Sequence, residues 1–192
     1  MVWDPALFEK TSRFAADKHG SQKVPGTTLP YLLHLIQVCN RAVRAAESDP
    51  SLDGNMIMQC ALLHDVIEDA ATTEEEKSLM RDEIKKLFGL QIADGVSALS
   101  KVDFFKSDGL LDKGAMMADS LQRILKQPQE VWVVKMADRI TNLQSPPSYW
   151  TLSKKKYYLD EAKEIYEALH SSSVLLANEM KVRMTNYEVF LQ

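Results

Sequence analysis

The sequence predicts an all-α protein, on three observations. Apolar residues recur at helical spacing through most of the chain, cap and stop residues bracket those segments, and only one stretch, VWVVK at 131 to 135, has the β-branched content of a strand. Asp4-Pro5 is an N-cap followed by proline at the first helical position, and Ala6, Leu7, Phe14 and Ala15 continue the apolar pattern. HGSQKVPGTTL, residues 19 to 29, holds two Gly and a Pro and reads as a loop. A second helix starts near Pro30 and runs to about Glu47, with Leu33, Ile36 and Val43 among its apolar positions. Asp53 caps a third, expected to contain ALLHDVIEDA at 61 to 70. Thr73 and Glu76 form a capping box for a fourth, which Gly89 ends. A short helix over 90 to 98 and a loop through FFKSDG follow, then helices over 112 to 126 and 128 to 143, the latter opened by Pro128. SPPS at 145 to 148 is a break, and helices near 153 to 169 and 172 to 190 close the chain. With no repeat, low-complexity tract or internal boundary, residues 1 to 192 read as one domain on which the C-terminal helix 172 to 190 packs.

Composition narrows the function classes. Of 192 residues, 45% are apolar and 26% charged, as in a soluble globular protein, and the net charge of −4 argues against a general nucleic-acid binder while permitting a local basic pocket. No apolar run is long enough to cross a bilayer. MVWDPALFEK lacks the basic start and apolar run of a signal peptide, so the expected location is cytoplasmic. Cys39 and Cys60 are too few for a disulfide framework and read as small buried hydrophobes in a reducing compartment. Oligomeric state has no sequence signal.

The chemistry concentrates in ALLHDVIEDA, where His64, Asp65, Glu68 and Asp69 follow an apolar flank. On a continuous helix His64 stacks with Glu68 and Asp65 with Asp69, so all four are expected to share one broad face. Ionisable groups beside an apolar wall need partners: each other, a metal or a charged ligand. His34 lies in the apolar segment PYLLHLIQV, and Asp138 follows the apolar run of VVKMADRITNL, with Asn142 one turn later. Taken singly, His34 reads as a core histidine and Asp138 as an ion-pair partner of Arg139 or Lys135. Together, His34, His64, Asp65 and Asp138 offer two imidazoles and two carboxylates from three helices, the way bundle interiors build metal sites. Mixed nitrogen and oxygen donors suit Mn, Fe, Co, Ni or Zn.

The order H…HD…D resembles the HD phosphohydrolase superfamily, and the surrounding strings resemble the RelA/SpoT-type alarmone hydrolase domain. GTTLPYLLHL is similar to that family's G-x-PY-x-x-HP, ALLHDVIED to its A-LLHD-x-x-ED, FGLQIADGVSALSK to its FG-x-x-V…V-x-x-x-T-K, and VVKMADRITNLQS to its K-L-A-D-R-x-x-N-x-R stretch. The resemblance runs from about Phe8 to Leu169, with no synthetase domain after it, as in a stand-alone small alarmone hydrolase. It implies an HD-domain bundle of about eight to ten helices with a buried metal site. It implies a Mn²⁺ ion, another divalent transition metal being possible, and hydrolysis of the 3′-pyrophosphate of guanosine tetra- or pentaphosphate to GDP or GTP and pyrophosphate. Carried over, His34, His64, Asp65 and Asp138 are metal ligands, Glu68 and Asp69 the paired catalytic carboxylates, and Asn142 a nucleotide contact. A substrate of high negative charge needs cations: Lys23, in the loop before His34, is the first candidate, with Lys101, Arg139, Lys106 and Lys154 to Lys156 behind it.

The chain departs from the family where the base is read. The family carries adjacent Arg and Lys ahead of the G-x-PY motif, whereas SQKVPGTTLPY has Lys23 alone. Leu35 replaces a proline, Thr141 stands where His or Tyr is common, and Gln144 where Arg is common. Two alternatives therefore stay open: an HD phosphohydrolase acting on another nucleotide (an adenosine alarmone or a nucleoside monophosphate), or a non-catalytic nucleotide-sensing domain.

Overall fold

A computed structural model describes residues 3 to 192. Ten α-helices follow one another among the described residues: α1 (Pro5–His19), α2 (Leu32–Ser48), α3 (Gly54–Leu63), α4 (Val66–Asp69), α5 (Glu74–Phe88), α6 (Leu90–Leu99), α7 (Lys113–Leu125), α8 (Gln129–Asn142), α9 (Leu152–Leu169) and α10 (Val174–Tyr187). Short 3₁₀ turns, His170–Ser172 and Glu188–Leu191, flank the last helix. No strand forms among the described residues; two isolated bridges, Lys23 with Pro30 and Phe105 with Leu111, close loops.

Local chemistry sets most helix ends. Asp4 accepts from the Ala6 N–H ahead of Pro5, and Thr73 and Glu76 exchange both bonds of a capping box. VWVVK belongs to α8, and its β-branched residues reflect burial: Val131, Val133 and Val134 are fully buried in the middle of the bundle.

Helices α2, α3 and α8 form the centre. Leu35, Val38 and Ala42 of α2 meet Ile57, Ala61 and Leu62 of α3 and Met136, Ala137 and Ile140 of α8, all of them fully buried in one apolar cluster. The remaining helices surround these three, with α10 packed on α8, α9 and α2. Cys39 and Cys60 are buried and unpaired, and burial pushes both thiols up to about 12, so neither is a nucleophile.

The expected third helix is not continuous. Helix α3 stops at Leu63, His64 and Asp65 form a turn, and α4 is a single turn. The His64 ring supplies a reason: its Nδ1 lies 2.8 Å from the Ala61 carbonyl oxygen, so a side chain engages a carbonyl near the helix end in place of the main-chain ladder.

Helix α6 crosses the core closely at Gly95, where a Cβ would stand 3.0 Å from Val131 Cγ2 and 3.1 Å from Cys60 Sγ. Gly95→Val therefore overpacks this crossing and should lower the unfolding free energy by about 1–3 kcal/mol in urea denaturation.

Candidate metal centre

Each candidate ligand reaches the same place from a different element. His34 sits in the first turn of α2, His64 and Asp65 in the turn between α3 and α4, and Asp138 in the last turns of α8. Adjacent residues of a regular helix point about 100° apart, so the break after Leu63 is what lets His64 and Asp65 face one point. His64 Nε2 lies 2.9 Å from Asp65 Oδ2 and 3.7 Å from Asp138 Oδ1. His34 Nε2 lies 3.8 and 3.5 Å from the same two oxygens.

The local chemistry fits a divalent cation. Because a carbonyl oxygen can only accept, His64 Nδ1 is the donor of its bond to Ala61, which leaves Nε2 facing the carboxylates, as a lone pair in the neutral ring and as an N–H in the protonated one. That Nε2 is buried and has no hydrogen-bond partner. In the neutral ring that lone pair is repelled by the carboxylate oxygens, and a proton on Nε2 or a cation shared by the four groups relieves the repulsion; the two-imidazole, two-carboxylate set matches a transition ion. Burial lowers the His64 pKa, but Asp65 and Asp138 more than offset it and hold it well above the usual value. Against the opposing effect of burial, the imidazoles hold both carboxyls below their ordinary range.

A cleft of about 170 Å³ opens onto this centre, and Glu68, Asp69, Lys101, Arg139 and Asn142 line it. Glu68 Oε1 lies 3.3 Å from Lys101 Nζ, and Glu68 Oε2 accepts from the Lys101 main-chain N–H at 3.2 Å. Asp69 accepts from Gln22 Nε2 at 2.8 Å, and burial raises its pKa. Asn142 Nδ2 donates to Asp138 Oδ1 at 2.6 Å. Arg139 is buried, with its guanidinium carbon 4.4 Å from the Tyr158 ring centroid and Nη2 3.5 Å from Glu161 Oε2; its Nε and Nη1 have no partner.

The structure does not bring Lys23 into this lining. Its main chain bridges to Pro30, and its exposed side chain stays on the loop; Lys106 is likewise an exposed loop residue outside the cleft. Buried Lys135, the first residue of the K-L-A-D-R-like stretch but given no substrate role in the sequence reading, takes the inward position instead. Its Nζ is 4.0 Å from Asp138 Oδ2, and burial lowers its pKa. Tyr31, the tyrosine of the G-x-PY-like string, is the other residue to which the sequence reading gives no role. Its hydroxyl donates to Asp65 Oδ2 at 2.5 Å, its ring lies between those of His19 and His34, and burial raises its pKa, with Asp65 adding to the effect. The loop before it is closed at the neck by Tyr31 N–H to the Gln22 carbonyl and by Val24 N–H to the Leu29 carbonyl, both 2.9 Å.

A second cleft of about 250 Å³ continues from the first, sharing Lys101, Lys135, Tyr158 and Glu161. Its far wall holds Met116, Met117 and Trp150, with Lys154 Nζ 4.4 Å from the Trp150 ring centroid.

Comparison with known proteins gives a consistent picture. The HD domain family, by its sequence profile, matches residues 11–172. "GTP pyrophosphokinase rsh" of Brucella ovis is 37% identical over 143 residues, which are 73% of this chain and 17% of that protein. The chain thus spans about a sixth of the length of the Brucella relatives it matches. "Guanosine-3′,5′-bis(diphosphate) 3′-pyrophosphohydrolase MESH1" of Xenopus tropicalis is 27% identical, and the alignment covers 94% of each chain. A protein of Aquifex aeolicus with the same activity in its name is 31% identical over 84% of this chain and 20% of its own length. A solved structure described as "A metazoan ortholog of SpoT hydrolyzes ppGpp and plays a role in starvation responses" superposes with a TM-score of 0.74 at 22% identity, over 96% of this chain and 97% of that one; this likeness is one of fold.

An ion that binds the folded chain alone raises its stability by mass action, by about 2.7 kcal/mol at a hundredfold excess over Kd. Adding Mn²⁺ to chelator-treated protein should therefore raise the thermal midpoint, and Asp65→Ala should abolish that rise; differential scanning calorimetry measures both.

Proposed function

The chain belongs to the HD domain family, and from that footing we propose that it is a metal-dependent phosphohydrolase that removes the 3′-pyrophosphate from guanosine tetra- or pentaphosphate, giving GDP or GTP and pyrophosphate. The observation that carries the reading is the pairing, at one cleft, of the two-imidazole, two-carboxylate cluster, of which His64, Asp65 and Asp138 line it, with a buried guanidinium that has two unpartnered nitrogens. A cluster of carboxylates alone would repel a polyphosphate; Arg139, Lys101 and Lys135 supply the compensating charge beside it. The names of the Xenopus and Aquifex relatives carry the same activity.

His34, His64, Asp65 and Asp138 would hold the ion, with Mn²⁺ as the proposed metal. When bound, a divalent ion supplies Lewis-acid chemistry, polarising a phosphoryl oxygen and lowering the pKa of water. Asp69, whose pKa burial raises, takes up or returns the proton of the attacking water, and Glu68, anchored by Lys101, orients that water. Arg139 and Lys101 offset the charge that develops on the transferring phosphorus group, and Asn142, fixed by Asp138, contacts the nucleotide. The continuing cleft lined by Trp150 and Tyr158 takes the remainder of the nucleotide, with Lys154 at its rim. Residues 1 to 192 act as a single hydrolase domain, α10 bracing α8 and α9. No helix among the described residues is long and apolar enough to cross a membrane, and the proposed setting is the cytoplasm, with the nucleotide as the partner.

One observation favours a second reading. The loop over 20 to 29 contains no arginine, so no guanidinium from it stacks on the base, which leaves room for an adenosine 3′-pyrophosphate. Incubating the protein with Mn²⁺ and a panel of guanosine and adenosine 3′-pyrophosphates, with product identification, tests both readings. Pyrophosphate release from the guanosine compounds supports the first; release from adenosine compounds alone supports the second. Release from neither, by protein that binds them, leaves a sensor.

Two substitutions separate the roles. Asp65→Ala should lose both metal and turnover, whereas Glu68→Ala should keep the metal and lose most turnover, as metal analysis beside steady-state assays will show. Val24→Arg, which restores a stacking cation in the loop, should lower KM more than it changes kcat, as added uniform binding does.

A further inference from the structure

A cleft of about 720 Å³ lies apart from the metal centre and shares no lining residue with the cleft there. Helix α2, the segment after α8 and helix α10 form its walls. Three of the chain's seven arginines, Arg41, Arg44 and Arg183, line it, and none of its sixteen lysines does. No carboxylate lines it; Glu179 stands behind, its Oε1 2.9 Å from Arg41 Nε and its Oε2 3.8 Å from Arg44 Nη1. One carboxylate against three guanidiniums leaves two positive charges uncompensated, in a chain whose net charge is −4. Assembling like charges around a concavity costs free energy, and an anion seated in the concavity recovers it.

We propose that this cleft is a second ligand site, taking the di- or triphosphate group of a small phosphorylated molecule. The exclusive use of arginine points to fork-shaped pairing with phosphate oxygens, for which lysine has no equivalent. Side-chain amides of Gln37, Asn40 and Gln144 complete the walls and offer both donors and acceptors to the rest of the ligand. The volume falls within the usual range of small-molecule sites, roughly 300–1,000 Å³. The site stands on its own residues and does not depend on the hydrolase reading. It is linked to the metal centre by shared helices: Arg41 Nη1 donates to Thr141 Oγ1 at 2.5 Å, next to Asn142 on α8, and α2 carries His34 near its N-terminal end.

The shared chemistry has two sources, a nucleoside triphosphate or free pyrophosphate, and both can also enter the metal-centre cleft. The test must therefore report which arginines respond. The protein, labelled with ¹⁵N and kept in excess Mg²⁺, is titrated separately with GTP and with inorganic pyrophosphate while the arginine Nε–H resonances are followed. Saturable shifts at Arg44 and Arg183 are expected, with the tighter of the two probes identifying the source. In Arg44→Ala/Arg183→Ala, with both charged forks gone, binding at the remaining Arg41 should weaken at least about tenfold while the backbone spectrum stays that of a folded chain. Shifts confined to Arg139, no saturable shift with either probe, or unchanged affinity in the double variant would overturn the proposal.

Discussion

Putting ionisable groups at the end of an apolar helix forces the rest of this structure. Ala61, Leu62 and Leu63 are fully buried, and the chain runs from them directly into His64 and Asp65. Burial of an unpaired imidazole or carboxylate costs several kcal/mol, so the arrangement exists only if charges of both signs meet there. The bond from His64 Nδ1 to the Ala61 carbonyl resolves the helix end and the ring orientation together. Asp138 then approaches from α8 and His34 from α2, the two helices packed against α3 in the centre of the bundle. The core and the site are one construction, and the apolar contacts of α2, α3 and α8 hold the donors to within hydrogen-bond scale of one another.

Around that point charge is graded in space. Negative groups gather at the floor, and Lys101, Lys135 and Arg139 stand on the side that leads to the second cleft. Burial lowers the Lys135 pKa, whereas Lys101, half-exposed and beside Glu68, has its pKa raised despite its partial burial. Two lysines facing one cleft thus differ in how firmly they hold their protons. Stacking on Tyr158 positions the Arg139 guanidinium without consuming its donors.

Most of the helices were legible in the sequence because their boundaries are local. Asp4-Pro5, Asp53 and the Thr73–Glu76 box state helix starts within four residues, and the structure uses each of them. The break at His64 was not legible, because periodicity cannot register a side chain that engages a carbonyl of its own helix end. The motif strings pointed to His34, His64, Asp65 and Asp138, and these do come together in space. Their supporting residues were hidden for a different reason: Tyr31 meets Asp65, and Gln22 meets Asp69, across distances in sequence that no local pattern encodes. Lys23 is near His34 in sequence, yet its exposed side chain is not part of the cleft lining, because the loop carries it past the Gln22–Tyr31 bond of the neck.

The closed neck of the loop after α1 has a consequence for how such proteins diversify. Gln22 and Tyr31, joined through their main chains, hold Asp69 and Asp65 respectively, so one short collar of backbone secures two carboxylates. Everything beyond the collar, from Pro25 to Thr28, is exposed and makes no contact with either carboxylate. Lengthening, shortening or rewriting that tip leaves the collar intact, because the closure entropy of a loop grows only slowly with its length. Apart from Gly26, whose positive φ favours glycine, the tip residues can therefore be exchanged while the same floor is kept.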